Sequence, residues 1–383
     1  MVGATSQKLR TAPVIAFPGQ GRLPVAQPLL PPAEAILPYL QRIDQQRWYS
    51  NFGPLVTDLE QRLGKRFAAP AGVVTVSSGT QGLILALKAL GARRGSLCAL
   101  PSWTFVATAH AVLQAGLIPW FLDVDPDTWM LDPDHVRSRL WAAPGAVSAV
   151  ITVAAYGRTP NIDRWCDFRR ETGTPVLIDA AAAFDALDDA RIPAVVSLHA
   201  TKAFGVGEGG FVAGEDTDYL ARVRQLSSFG FRGTREAHIP ATNAKLSEYA
   251  AAVGLAGLDG WSATRARFLG VAQNLRIALI DAPEVEFQPG WGVNWISSVC
   301  VVRVPEGKLE AVEANLTREG VDTRRWWGAG CHAGPVFAGC PRDALPNTLD
   351  LARSTLGLPF AADLDHASVN RIAGAVLRGL GRA

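Results

Sequence analysis

Hydrophobic residues between positions 72 and 214 come in short continuous runs that alternate with longer amphipathic stretches. The runs read GVVTV, SLCALP, IPWFLDVD, VSAVITV, PVLIDAA, AVVSLHA and GGFVAG. A strand buried on both faces of a sheet has this continuous apolar pattern, and strands that alternate with helices form mainly parallel sheets. The pattern therefore predicts an α/β fold with a mainly parallel sheet that carries helices on both faces.

The two ends of the chain differ from this part in composition and in hydrophobic pattern. Residues 1–32 are rich in Pro and Gly without a long periodic pattern, and they predict an extended arm. Residues 33–260 contain the alternating runs and form the expected large domain. Residues 261–383 continue a long helical pattern that begins near Ser247, and then predict a smaller α+β domain with one or more strands in WISSVCVVRV.

Composition narrows the class of protein. Of the 383 residues, 48% are hydrophobic and 19% charged, which is typical of a globular protein with a large core. The formal net charge of +2 argues against nucleic acid or an acidic membrane as the main partner. The five cysteines form no CxxC pair, so neither a disulfide framework nor a metal site is expected. No apolar run is long enough to span a membrane and no signal peptide is visible, so we expect a cytoplasmic protein.

Four chemical features follow predicted strands, where ligands of open α/β sheets bind. The first is the turn VSSGTQG at 76–82, in which Ser78, Gly79 and Thr80 open a helix. Free N–H groups at a helix N-terminus bind anions, so this turn predicts a phosphate site. An ordinary helix cap would give the same turn. The segment matches neither GxxxxGKS nor GxGxxG, which disfavours a nucleoside triphosphatase or a dinucleotide-binding protein.

Aromatic and acidic residues follow two further strands. Trp103 and Phe105 lie in PSWTFVATAH, where either ring is able to stack on a flat ligand or to pack in the core. Asp179 ends the apolar run PVLID. A carboxylate at the end of a buried strand needs a partner, either a structural cap or a cationic ring nitrogen of a cofactor.

The fourth feature is the segment SLHATKAFGVGEGG at 197–210. Lys202 follows a predicted strand, and enclosure would lower the pKa of its amine and make it nucleophilic toward an aldehyde. Glycines beyond it allow the backbone to pass close to a bulky group, and Ser197 offers a hydroxyl to a phosphate. A lysine taken alone is usually a surface residue, and His199 is better explained by packing and hydrogen bonding than by base catalysis.

Together the four features match one cofactor. They provide a phosphate cup, a stacking aromatic ring, a carboxylate for a pyridinium nitrogen and a lysine for an aldehyde. These are the requirements of pyridoxal 5′-phosphate, which acts as an electron sink while the protein holds and tunes it.

The order of these motifs resembles the DegT/DnrJ/StrS-type nucleotide-sugar aminotransferases. The similarity rests on SSGT, PSWTFVATAHA, IDAA and SLHATKAFGVGEGG, and it runs from WYSNFGPLVTDLE at 48–60 to LGLPF at 356–360. The resemblance implies the pyridoxal-phosphate-dependent transferase fold of aspartate aminotransferase (fold type I). It also implies a homodimer with active sites shared across the interface.

The resemblance assigns roles to the candidate residues. Lys202 forms the covalent bond to the cofactor's aldehyde and later moves a proton. Asp179 pairs with the pyridine nitrogen. Phe105 stacks on the ring, with Trp103 as the alternative. The phosphate contacts come from Gly79 and Thr80 of the first motif, with Ser78 in the same turn. Ser197 of the lysine segment adds a further contact.

Three positions concern the partner subunit or depart from the family pattern. Asn243, in ATNAKLSE, would reach the phosphate of the neighbouring subunit. Lys245 stands where the family has Arg, which keeps the charge. Ala182 stands where the family usually has Gln near the cofactor's 3′-oxygen, so one donor to that oxygen is missing.

The implied reaction moves an amino group from glutamate to a nucleotide-linked keto-deoxysugar in amino-sugar or polysaccharide biosynthesis. The first expectation is a thymidine diphosphate 4-keto-6-deoxy sugar aminated at C4. Arg324, Arg325 and His332 are candidate contacts for the diphosphate or sugar, since arginine suits phosphate geometrically; a solvated strand edge is the alternative. Amination at C3, a guanosine sugar, a dehydratase and a non-catalytic regulator of the same fold remain open.

Overall fold

A seven-stranded sheet forms the centre of the computed structural model, which describes residues 21–68 and 72–382. Its strands follow one another along the chain between residues 72 and 214. They are β1 (Gly72–Val76), β2 (Leu97–Pro101), β3 (Ile118–Leu122), β4 (Val147–Val153), β5 (Val176–Asp179), β6 (Ala194–Ser197) and β7 (Gly210–Gly214).

The strand order across this sheet is β1-β7-β6-β5-β4-β2-β3. Strand β7 runs antiparallel to both of its neighbours, β1 and β6, and all the other pairs are parallel. Neighbouring strand residues such as Val150 and Ile151 enter two different buried clusters, one on each face of the sheet. The predicted α/β class with a mainly parallel sheet covered on both faces is confirmed.

Twelve α-helices lie within the described residues. They are α1 (Ala33–Gln46), α2 (Pro54–Gly64), α3 (Gly79–Ala89), α4 (Val106–Gln114), α5 (Pro133–Leu140), α6 (Ile162–Thr172), α7 (Thr217–Ser227), α8 (Glu248–Asp259), α9 (Trp261–Ala278), α10 (Leu309–Arg318), α11 (Pro346–Ser354) and α12 (His366–Leu380). Several begin where a Ser, Asp or Asn side chain accepts a hydrogen bond from a first-turn N–H, as at Asp132, Asn161 and Asp216. None of the helices in the described ranges combines the length and the apolar character that a membrane span requires.

A second sheet belongs to the C-terminal part of the chain. Its strands β8 (Glu286–Phe287), β9 (Cys300–Arg303) and β10 (Thr355–Leu358) pair antiparallel in the order β10-β9-β8. Residues 1–20 of the predicted arm lie outside the described residues. The rest of the arm contacts this C-terminal part, because Leu23 pairs with Val321 and Ala26 pairs with Phe360. The predicted domain limits at 32 and 260 stay predictions.

Two elements differ from the sequence pattern. The long helical pattern from Ser247 is divided at Gly260, after which Trp261 starts α9 and packs edge-on against the rings of Phe184 and Phe204. The run WISSVCVVRV forms a strand only at Cys300–Arg303. The residues before it, 296–299, are irregular, and Trp291 Nε1 donates a hydrogen bond to the carbonyl of Val299.

Candidate active site

The predicted site residues follow strands that end at one edge of the large sheet. Asp179 is the last residue of β5 and aligns with Val195 of β6 and Val153 of β4. Ser197 is the last residue of β6, and Lys202 lies five residues beyond it. Parallel strands bring their carboxyl ends together, so the lysine and the carboxylate lie on adjacent strand ends.

The phosphate turn is built by the close approach of three chain segments. Ser78 caps helix α3, and its Oγ accepts a hydrogen bond from Gln81 N at 3.2 Å. A Cβ on Gly79 would lie 3.0 Å from Ser197 Cβ, and a Cβ on Gly210 would lie 2.8 Å from the nitrogen of Gly79. Glycine at both positions therefore lets Ser197 and the first turn of α3 share one small concave surface.

Asp179 is buried and hydrogen-bonded. Its Oδ2 accepts from Thr108 Oγ1 at 2.7 Å and its Oδ1 accepts from Ala181 N at 3.1 Å. Burial raises the pKa of the Asp179 carboxyl above its ordinary value, against the opposing effects of Thr108, the Ala181 N–H and the charge of Lys202. A cationic partner would stabilise the ionised form in this environment.

The Lys202 amine lies in an enclosed part of the structure. Burial lowers the pKa of its ammonium group below the ordinary value, and the charge of Asp179 opposes that shift. The whole residue is only half-buried, while its amine lies deep enough for desolvation to dominate. A larger fraction of neutral amine is therefore available for addition to an aldehyde.

The two candidate aromatic residues have different surroundings. Phe105 is 59% exposed at the start of α4, so one face of its ring is available to a flat ligand. Trp103 is buried and packs edge-on against Trp327 and Tyr156, with ring centroids 5.3 and 6.5 Å away. Trp103 is therefore a packing residue in this conformation, and Phe105 remains the candidate for stacking.

Asn243 lies exposed in the segment between α7 and α8. Its Oδ1 accepts a hydrogen bond from Lys245 Nζ at 2.6 Å, and the same ammonium lies 4.5 Å above the ring of Phe229. The amide and the lysine thus form one polar group on the protein surface.

Only one of the three predicted substrate contacts touches a strand end of the large sheet. His332 Nδ1 lies 2.6 Å from Oγ of Ser102, the residue after β2, and burial followed by the charge of Arg342 lowers the pKa of His332. Arg325 pairs with Glu313 and Glu310 of α10. Arg324 forms no ion pair with described residues, and its guanidinium lies 4.8 Å above the ring of Trp326.

Sequence reasoning missed four residues near this site. Thr108 was part of a quoted motif; it lies on α4, and its Oγ1 lies 2.7 Å from Oγ1 of Thr104, which precedes the helix. Tyr156, which stacks on Trp327 at 4.0 Å, follows the apolar run of β4 and was detectable in the same way as Asp179. Trp327 and Ser297 come from distant parts of the chain, and no local pattern predicts their position.

The residues present fit pyridoxal phosphate. The fit rests on the tight turn at Gly79 for a phosphate, the buried Asp179 for a ring nitrogen and the Lys202 amine for an aldehyde. Ala182, where the sequence lacks a donor, is half-buried, and its carbonyl oxygen lies 2.9 Å from the position a Cβ would take on Gly157.

Comparison with known proteins identifies relatives along nearly the whole chain. Protein Rv3402c of Mycobacterium tuberculosis (strain H37Rv) is 30% identical over 370 residues, covering 93% of this chain and 89% of that protein. The dTDP-4-amino-4,6-dideoxy-D-glucose transaminase of Shigella dysenteriae is 34% identical over 241 residues, covering 61% of this chain and 64% of that enzyme. The crystal structure of DesI in the presence of its TDP-sugar product superimposes with a TM-score of 0.85 at 33% identity, over 95% of both chains.

The family profile decides the assignment. The DegT/DnrJ/EryC1/StrS aminotransferase family matches residues 32–377, which confirms the resemblance found in the motifs. This chain therefore belongs to the DegT/DnrJ/EryC1/StrS aminotransferase family and is a pyridoxal-phosphate-dependent aminotransferase.

Proposed function

We propose that this enzyme transfers the amino group of glutamate to a keto-deoxysugar carried by a nucleotide. The single observation that carries the proposal is the pairing of Lys202 and Asp179 at the ends of adjacent strands, next to the turn at Gly79. The names of the Shigella transaminase and of DesI, both about one-third identical to this chain, support a sugar substrate. A thymidine diphosphate 4-keto-6-deoxy sugar aminated at C4 is the specific substrate we propose.

Lys202 performs the proton chemistry. Its neutral amine would hold the cofactor through the aldehyde group, and the same amine would accept the proton from Cα of the donor and return it at the cofactor's aldehyde carbon. Bound pyridoxal phosphate supplies a protonated ring that accepts the electron pair left by that proton. The lowered pKa of Lys202 increases the unprotonated fraction of its amine, which is the form that both tasks require.

Asp179 and its hydrogen-bond partners hold the ring nitrogen in its protonated form. Thr108 and the N–H of Ala181 fix both carboxylate oxygens, so the side chain keeps one orientation. An ionised carboxylate beside the nitrogen favours the cationic ring, which strengthens it as an electron acceptor. Phe105 covers one face of the ring.

Phosphate and substrate contacts complete the proposal. Ser78, Gly79, Thr80 and Ser197 bind the cofactor's phosphate, and Asn243 reaches the phosphate held by the neighbouring subunit of a homodimer. His332, Arg324 and Arg325 contact the nucleotide sugar. Of these, Arg324 is the better diphosphate contact, because Arg325 is already paired with two glutamates. We place the reaction in the cytoplasm.

The experiment combines a cofactor test with a substrate panel. Purified enzyme is loaded with pyridoxal phosphate, mixed with glutamate and thymidine, uridine or guanosine diphosphate keto-sugars, and the products are read by mass spectrometry. We expect an amino sugar together with 2-oxoglutarate. Lys202→Ala should lose the visible absorbance of the covalently bound cofactor and all turnover, and Lys88→Ala, which changes an exposed lysine of α3, should retain both.

Three outcomes would contradict parts of the proposal. A protein that takes up no pyridoxal phosphate would refute the assigned site. A sugar that loses oxygen without gaining nitrogen would identify a dehydratase. Half-reaction with glutamate but no reaction with any nucleotide keto-sugar would exclude the substrate class.

A further inference from the structure

The order of strands fixes which side of the cofactor faces which loop. In pyridoxal phosphate the phosphate arm and the phenolic oxygen lie on opposite sides of the line from the ring nitrogen to the aldehyde carbon. The proposed phosphate contacts belong to the ends of β1 and β6, and the proposed nitrogen partner Asp179 ends β5. With these contacts, the phenolic oxygen would lie on the far side of β5, toward the loop that follows β4.

Two buried hydroxyl groups without a hydrogen-bond partner lie at this loop. Six buried side-chain nitrogen or oxygen atoms of the described residues find no partner, and two of them, Tyr156 Oη and Ser297 Oγ, lie here; Ser297 is completely buried. A Cβ placed on Gly157 would lie 2.9 Å from the carbonyl oxygen of Ala182 and 3.1 Å from Ser297 Oγ. The Ser297 hydroxyl thus lies in the immediate surroundings of Ala182, whose own side chain offers no donor.

Ser297 is held in this place by the loop that contains Ala182. The backbone N–H of Ile296 donates to Asp185 Oδ2 at 3.0 Å, and Arg265 Nε donates to Asp185 Oδ1 at 2.6 Å. Gln288 Nε2 donates to the carbonyl of Ala155 at 3.2 Å and attaches the preceding turn to the β4 loop. These contacts anchor the backbone next to Ser297 and the turn that precedes it.

A buried hydroxyl without a partner is costly, and in native proteins it usually indicates a ligand or ordered water at that place. We propose that Ser297 donates its Oγ–H to the phenolic oxygen of bound pyridoxal phosphate. It supplies from the C-terminal part of the chain the hydrogen bond that Ala182 cannot make. This inference rests on the proposed roles of Asp179 and of the phosphate turn.

The test measures the bound cofactor and needs no sugar substrate. A donor to the phenolate would lower the pH at which the Lys202 nitrogen, once bonded to the cofactor, loses its proton, because the phenolate would then hold that proton less strongly. Ser297→Ala should raise the midpoint of the visible absorbance titration by about one pH unit, a tenfold change in proton affinity. It should also weaken cofactor binding to the cofactor-free enzyme by roughly three- to tenfold.

Matched variants separate the hydroxyl from its surroundings. Ser297→Thr retains the donor and should keep the wild-type midpoint, and Ser298→Ala, which changes the neighbouring serine, should also leave it unchanged. Ala182→Gln in the Ser297→Ala background places an amide donor nearby and should lower the midpoint again.

The inference is overturned if Ser297→Ala leaves the midpoint unchanged, or if Tyr156→Phe produces the shift instead. Both outcomes are independent of whether the enzyme aminates a sugar. Formation of an amino sugar by the wild-type enzyme, loss of the covalently bound cofactor's absorbance in Lys202→Ala and an unaltered midpoint in Ser297→Ala would together keep the proposed function and reject only the role of Ser297.

Discussion

The chemistry of the site depends on two buried groups that shift each other's ionisation. Burial lowers the pKa of Lys202 and raises the pKa of Asp179, and the opposite charge of each partner counteracts both shifts. For each group the effect of burial on the pKa exceeds the effect of the partner's charge. A cofactor with a cationic ring nitrogen and a reactive aldehyde satisfies both groups at once.

The Lys202 pKa can be tested in the cofactor-free enzyme. The neutral fraction of the Lys202 amine should reach its plateau at a lower pH than the neutral fraction of an ordinary lysine. At neutral pH, each unit by which the pKa is lowered gives about tenfold more neutral amine. Asp179→Asn removes the charge that raises the Lys202 pKa, so the plateau should move to still lower pH. Reductive methylation of Lys202 as a function of pH, followed by peptide mass spectrometry, measures both effects.

Lys88 serves as the internal reference in the same digests, because it is exposed on α3. A Lys202 profile that coincides with that of Lys88 would show that burial does not control the amine. A plateau moved to higher pH by Asp179→Asn would contradict the assigned sign.

At the residue scale, the sequence predicted those groups whose position follows from a strand end. Asp179, Lys202 and the Gly79 turn each follow an apolar run, and parallel strands bring such positions together. Ser297 could not be predicted, since its place depends on the contact between Ile296 and Asp185, which are 111 residues apart. The surroundings of Arg325 were equally inaccessible, because its glutamate partners depend on how α10 packs.

At the scale of elements, Glu248 joins two helices that are distant in sequence. This buried first residue of α8 accepts hydrogen bonds from Leu55 N at 2.8 Å and Val56 N at 3.1 Å, the unpaired donors of the first turn of α2. A Cβ on Gly53 would lie 2.7 Å from Glu248 Cδ, so glycine is needed for this approach. The carboxylate replaces a local cap, which α2 lacks.

Glu248→Ala should destabilise the folded protein by about 2–4 kcal/mol, because it leaves two buried N–H groups unpaired and removes a charged acceptor. Glu248→Gln should cost less, since the amide oxygen still accepts one of the bonds. Chemical denaturation measures both values. Glu306→Ala, at an exposed glutamate, is the control and should change stability little.

An equal loss of folding stability in Glu306→Ala, or no loss in Glu248→Ala, would show that the α2–α8 contact makes no specific contribution to stability.

The sequence contained both halves of this contact in the segments WYSNFGPLVTDLE and ATNAKLSE. Their partnership was not predictable, because it depends on the tertiary packing of helices 193 residues apart. The break at Gly260 was missed for a related reason: a periodic pattern continues across it, and only the packing of Trp261 reveals the boundary.

At the scale of the whole molecule, the proposed homodimer predicts that each site takes residues from two chains. Lys202→Ala chains and Asn243→Asp chains should each be poorly active alone. A dimer that contains one chain of each kind holds one site with both native residues. Random mixing after dissociation should therefore restore about one quarter of wild-type activity, since half of the dimers are mixed and half of their sites are intact.

The measurement is turnover of glutamate and keto-sugar before and after mixing, with each parent remixed with itself as control. Activity equal to the mean of the parents would show that Asn243 serves the site of its own chain.

The fold of this molecule was predictable from the sequence because the apolar runs are continuous and regular. The expectation of a homodimer rests on the family resemblance, because the hydrophobic pattern of one chain predicts the fold of that chain and not its contacts with a partner subunit.

The position of β7 between β1 and β6 has a consequence for how the protein is made. Strand β1 has only β7 as a described neighbour in the sheet, and that neighbour is synthesised about 130 residues later. At ordinary rates of translation the nascent chain carries β1 unpaired for roughly 7–30 s. Until then its apolar residues are available to chaperones or to other nascent chains. The turn at Gly79 begins at the end of β1, so a ribosome must pass residue 214 before the phosphate site can assemble at all.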